Sequence, residues 1–97
     1  MSDNIEYIGQ GAFYGCSSLT NIILPDSLED LMSGAFFNCS SLTNIVIPKN
    51  IVVIGDSLFE NCSNLTSVTL PNKLKFLGYD VFKNCVKLTH ITLSNSV

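Results

Sequence analysis

Hydrophobic residues along this chain return at a fixed interval of 23 positions. Shifting the sequence against itself by that interval superposes Phe13, Phe36, Phe59 and Phe82, and then Cys16, Cys39, Cys62 and Cys85. The same shift aligns Leu19, Leu42, Leu65 and Leu88, the threonines that follow them, and the apolar series Ile22, Ile45, Val68 and Ile91. Self-similarity of this kind marks a stacked repeat architecture, in which each unit buries its apolar face only against its neighbours. Four units cover residues 5–27, 28–50, 51–73 and 74–96, approximately, of one domain spanning 1–97.

Within a unit, Leu19-Thr20-Asn21-Ile22-Ile23-Leu24-Pro25 places its fixed apolar residues on one side and the residues between them on the other, which predicts a short strand. Proline closes the strand at Pro25, Pro48 and Pro71, and Ser94 takes that place in the fourth unit. Because the strands recur with a crossover between them, they are expected to lie parallel on one face of a solenoid. A second apolar pair follows, Ile5 and Ile8 with counterparts Leu28 and Leu31, Ile51 and Ile54, and Leu74 and Leu77, which suits a tight turn or a short extended segment.

A column of Gly9, Gly55 and Gly78, broken by Met32, then suggests a turn with positive φ. One helical turn is predicted around Ala12-Phe13 and its counterparts, with Ser33, Asp56, Ser57 and Asp80 placed to cap free N–H groups. Gly15, Asn38, Asn61 and Asn84 follow, residue types that readily take the left-handed conformation ending a helix. The fold class read from these patterns is an α/β solenoid of four 23-residue repeats, with short parallel strands on one face and one-turn helices and turns elsewhere.

Composition narrows the function. Of 97 residues, 46% are hydrophobic and only 13% charged, which excludes intrinsic disorder. With a net charge of −3 and no basic cluster, nucleic acid is not an expected partner. No apolar run approaches the length of a membrane span, so no membrane insertion is expected, and Met1-Ser2-Asp3-Asn4 lacks the start of a signal peptide.

The unit A-F-x-x-C-x-x-L-T-x-I-x-L-P-x-x-L-x-x-I-G resembles the leucine-rich repeat of the BspA-like (treponemal) type, and the likeness runs from Ile5 to Val97. Leu58 and Val81 stand where alanine is usual, Met32 where glycine is, and Ser94 where proline is. The resemblance implies a leucine-rich-repeat superhelix with its strands on the concave face. It also implies a non-catalytic protein–protein interaction module, the ligand-binding or adhesion part of a surface protein whose partner is a host surface or matrix protein. A location at the cell surface or outside the cell follows from the family alone.

Candidate chemistry is sparse. Equal cysteine spacings are unlike the paired cysteines of a zinc site, and stacking leaves buried free thiols, the favoured reading, or inter-unit disulfides. His90, the single histidine, has Ser67 as its expected lateral neighbour but no acid to orient the imidazole. Gly9-Gln10-Gly11-Ala12-Phe13-Tyr14-Gly15 resembles a phosphate loop only superficially, since its glycine spacing is wrong. No residue is assigned a catalytic, cofactor-binding or metal-binding role.

The candidate protein-binding face comprises the outward strand positions: Asn21, Asn44, Ser67 and His90 in one column, and Ile23, Val46, Thr69 and Thr92 in the next. Asp26, Lys49, Asn72 and Asn95 are expected to rim it. An alternative is a self-assembling structural unit, a homo-oligomer stacked end to end through uncapped repeat ends. Residues 1–48 carry Asp3, Glu6, Asp26, Glu29 and Asp30 without a lysine, whereas 49–97 carry five lysines against Asp56, Glu60 and Asp80. This polarity favours head-to-tail contacts.

Overall fold

The computed structural model describes residues 5–94, so Asn95 and the last residues of the fourth unit lie outside the described residues. Seven short strands form: β1 (Tyr7–Ile8), β2 (Asp30–Leu31), β3 (Asn44–Val46), β4 (Val53–Ile54), β5 (Ser67–Leu70), β6 (Phe76–Leu77) and β7 (His90–Leu93). All pair in parallel, one repeat apart. They build two sheets, one in the order β3-β5-β7 and the other in the order β1-β2-β4-β6. The second apolar pair of each repeat is therefore the extended segment, with Leu31 opposite Ile54 and Ile54 opposite Leu77.

Inward residues of both sheets meet a third wall of stacked turns. Leu28, Leu31, Ile45, Ile51, Ile54, Leu65 and Val68 are buried together with Phe36, Phe59, Cys39 and Cys62. The phenylalanine rings stack along the axis, with centroids 5.3 Å apart for Phe13–Phe36, 5.7 Å for Phe36–Phe59 and 6.0 Å for Phe59–Phe82. Burying each inner ring contributes roughly 1.5–3 kcal/mol. No polar or charged side chain is buried among the described residues.

The expected one-turn helices are replaced by a chain of tight turns, and no helix occurs among the described residues. The hydrogen bonds give the reason. Ala35, Phe37 and Cys39 donate their N–H groups three residues back, to Met32, Gly34 and Phe36. Gly34, Phe36 and Asn38, alternating with them, donate instead to the next turn, at Asp56, Leu58 and Glu60. Every second donor is thus spent between turns, whereas a helix needs all of them within itself. Left-handed residues on both sides of each phenylalanine, Gly34 and Asn38 in the second turn and Ser57 and Asn61 in the third, also stop a right-handed helix from propagating.

The left-handed expectation holds at Gly15, Asn38, Asn61 and Asn84, with φ between 62° and 70°. It fails at Gly9, Gly55 and Gly78. Positive φ falls two positions later, at Gly11, Gly34, Ser57 and Asp80. Glycine is kept at 55 and 78 because the preceding turn passes too close: an added Cβ would lie 2.6 Å from the Ser33 backbone nitrogen at Gly55, and 2.6 Å from the Asp56 nitrogen at Gly78. Capping also differs from expectation, since Asp56 Oδ1 accepts the N–H of Tyr79 in the next turn, at 2.8 Å.

An added Cβ at Gly9 meets nothing within 4 Å. Gly55→Ala should therefore lower stability by about 1–3 kcal/mol through forced displacement of the backbone, whereas Gly9→Ala should leave it nearly unchanged. Urea denaturation of both variants checks this, and equal midpoints would reject the close-approach account.

Candidate protein-binding face

Alternation along β3 and β5 turns Ile45, Val68 and Leu70 into the core and leaves the intervening side chains outside, whereas all four residues of β7 are exposed. Asn44, Ser67 and His90 stand opposite one another in register, as do Val46, Thr69 and Thr92. Ser67 and Thr69 are half-buried, while Asn44, Val46, His90 and Thr92 are exposed. The threonine column beside them is a connecting ladder: Thr43, Thr66 and Thr89 donate their hydroxyls to the carbonyls of Thr20, Thr43 and Thr66 at 3.3, 3.0 and 3.4 Å.

The first repeat behaves differently. Asn21 and Ile23 lie on the same side, but Asn21–Leu24 forms no strand, and the sheet stops at β3. A bond from Thr43 N to Thr20 O, 3.0 Å, holds the start of this segment to the next turn. Past it a cleft of about 370 Å³ opens, lined by Asn21, Ile23, Asn44 and Val46 together with Asp26 and Pro48. Ile23 is 87% exposed and Val46 61% exposed, so the cleft carries an apolar stripe beside its two asparagines. The structure thus gathers the first four predicted positions around one opening and arrays the other four along the sheet.

His90 Nδ1 lies 2.9 Å from Thr89 Oγ1, its hydrogen-bond partner among the described residues, so the imidazole is engaged beside itself rather than with Ser67. No group of three or more His, Cys, Asp or Glu is placed to hold a metal ion among the described residues. All four cysteines are free thiols. Each of Cys39, Cys62 and Cys85 points along the axis and donates to the carbonyl of Phe13, Phe36 or Phe59 in the preceding turn, at 3.1 Å. The column is therefore a set of inter-turn contacts.

A second opening was not read from the sequence. It lies on the turn wall, beside a stacked pair formed by Tyr14 and Phe37, and the signal for it is a column occupied by Tyr14, Phe37, Glu60 and Lys83, in which the repeats disagree.

The family described as the BspA type leucine-rich repeat region (6 copies) matches residues 1–97. The chain belongs to that family. Solved structures agree. A leucine-rich repeat protein from Bacteroides ovatus is 34% identical with a TM-score of 0.85 over 88% of this chain and 22% of its own. The T. pallidum leucine-rich repeat protein is 31% identical with a TM-score of 0.76, over 90% of this chain and 51% of its own. A leucine-rich cell surface protein from Faecalibacterium prausnitzii is 27% identical with a TM-score of 0.66, over 92% and 29%. The chain spans between about a fifth and a half of these proteins. No curated protein matches it. BspA-type and other leucine-rich repeat proteins are generally interaction modules and generally non-catalytic.

In this BspA-type solenoid, burial pushes the thiols of Cys39 and Cys85 above the ordinary value, and that of Cys62 up to about 12. The unfolded thiol loses its proton near its usual value of about 8.5 while the folded Cys62 keeps it, so this contribution is full below about pH 8. Folding stability should fall as pH rises from about 9 to 12, and should fall less steeply in Cys62→Ala. Urea midpoints across that range check it; identical slopes in the two proteins would reject it.

Proposed function

We propose that this chain is a ligand-binding segment of a larger surface protein, which recognises a protein partner through the concave face formed by β3, β5 and β7. The observation that carries this reading is the contrast between columns. Inward positions repeat almost without change, whereas the outward ones run from Asn44 to His90 and from Val46 to Thr92, and expose Ile23 and Val46 around a cleft. Variation where the fold demands nothing, joined to an exposed apolar stripe with a polar rim, is the composition of an interaction surface. The F. prausnitzii structure is described as a cell surface protein, and a location outside the cell supports partners among host surface or matrix proteins.

A triple variant, Asn44→Ala, Val46→Ser and Thr69→Ala, tests the face against a panel of immobilised extracellular-matrix proteins. Binding by the wild type should weaken at least about tenfold in the variant, with the unfolding free energy held within about 1 kcal/mol, because none of the three side chains is in the core. Equal binding by the variant, or no binding by the wild type, rejects this face.

The charge pattern favours a second reading, end-to-end stacking of copies. Glu6, Asp26, Glu29 and Asp30 lie in the first two repeats, and Lys75, Lys83 and Lys87 lie in the last, with Lys73 just before it. Phe76, Leu77, Ile91 and Leu93 are exposed around the same last turn. On this reading, light scattering of the 97-residue chain should show mass growing with concentration and shrinking at high salt. A constant monomer mass rejects it.

A further inference from the structure

Most columns of the repeat are explained by the solenoid itself, so positions where the first two turns depart from the later ones carry separate information. Tyr14 and Phe37 are such positions, because the same column continues as Glu60 and Lys83. Their rings stack with centroids 4.9 Å apart and planes within 4°. The core already has its own aromatic column in Phe13, Phe36, Phe59 and Phe82, and Tyr14 is 62% exposed. Phe37 is half-buried, and an exposed aromatic ring outside the packing scheme, stacked on such a partner, is a characteristic anchor for a ligand.

The surface beside this pair is also particular to the first two turns. Gly11 and Gly34 leave it bare at positions held by Ser57 and Asp80 in the third and fourth. A Cβ added at either glycine would lie nearest the Cβ of Tyr14, at 3.9 Å, or of Phe37, at 3.8 Å, so the bare strip runs directly along the aromatic pair. The result is a groove of about 450 Å³, in which Gln10, Ser33 and Asp56 join the aromatic residues. No lysine lines it. Asp56 Oδ1 accepts the Tyr79 N–H at 2.8 Å, and Oδ2 has no hydrogen-bond partner among the described residues.

We propose that this groove binds an arginine side chain presented by a protein or peptide partner. A guanidinium is planar and weakly hydrated, stacks on aromatic side chains, and donates to a carboxylate and to an amide oxygen at once, which matches Tyr14, Phe37, Asp56 and Gln10. Charge points the same way. Residues 1–48, which supply most of the groove, carry five acids and no lysine, so their field draws cations and repels phosphate or acidic peptides. Lysine, a compact and strongly hydrated point charge, uses the aromatic wall less well. The groove is on the turn wall and not on β3, β5 and β7, so this second recognition surface stands or falls independently of the concave face.

The test titrates the ¹⁵N-labelled 97-residue chain with the peptide Gly-Arg-Gly-Arg-Gly and with its citrulline counterpart, which keeps the shape and loses the charge. Amide shifts centred on Gly11 and Gly34 are expected with the arginine peptide, weakening at high salt and at least about tenfold weaker with citrulline. Asp56→Asn should weaken binding similarly, and its side-chain oxygen can still accept the Tyr79 N–H, so the turn is kept. Tyr14→Ala should also weaken binding while the chain keeps a cooperative unfolding transition, its midpoint lowered only slightly by loss of the stack on Phe37, whereas Val46→Ser should bind as the wild type does. Four outcomes overturn the proposal: equal binding of the citrulline peptide, shifts centred on β3, no shift at about 10 mM peptide, or a response to maltohexaose in place of the arginine peptide.

Discussion

Because the interior of this solenoid holds no polar or charged side chain among the described residues, the amides and carbonyls along its walls have to pair with one another across successive turns. That requirement sets the spacing at which every other contact is made. Two parallel sheets satisfy it on two walls, and on the third it is met by the alternate donors of the tight turns. Side chains that can reach a neighbouring carbonyl join in: the hydroxyls of Thr43, Thr66 and Thr89, and the thiols of Cys39, Cys62 and Cys85. Once turns are held at this distance, identical residues must sit above one another, and the phenylalanine stack is the apolar consequence.

Much of this was legible in the residues. Columns of Phe, Cys, Leu and Ile specify which side chains are stacked inside, and Asn38, Asn61 and Asn84 specify where the backbone turns left-handed. The helix prediction misled because hydrogen bonds three residues back occur in a short helix and in an isolated tight turn alike; only the bonds from Phe36 to Leu58 and from Asn38 to Glu60, made to a distant part of the chain, tell them apart. Gly55 misled for a related reason. A glycine is spelled the same whether it serves dihedral freedom or clearance, and the clearance at Ser33 exists only once two turns are stacked. Asn21–Leu24 has the same pattern as β5 and yet stays outside the sheet, although β7, which likewise has a neighbouring turn on one side alone among the described residues, joins it.

The candidate face was readable as a set of outward columns but not as a shape. The cleft between Ile23 and Val46 depends on the first segment leaving the sheet, which no residue in it announces. On the turn wall, Tyr14 and Phe37 stand in a column that changes to Glu60 and Lys83, so the repeat pattern does not mark them. In a repeat protein the constant columns describe the scaffold, and the positions that break ranks are the ones free to be specialised.

The hydrogen bonds that join one turn to the next through side chains connect residues 22 to 26 apart, whichever turn they belong to. The loop that must close to form each contact thus has nearly constant length, and its entropic cost does not grow as turns are added. Relative contact order falls as such an array lengthens, so a long assembly of these repeats pays no topological penalty in folding speed for its size. Ordering can begin at any pair of turns and spread outward, one turn at a time, which allows the array to grow or shrink by whole units without redesign of what remains.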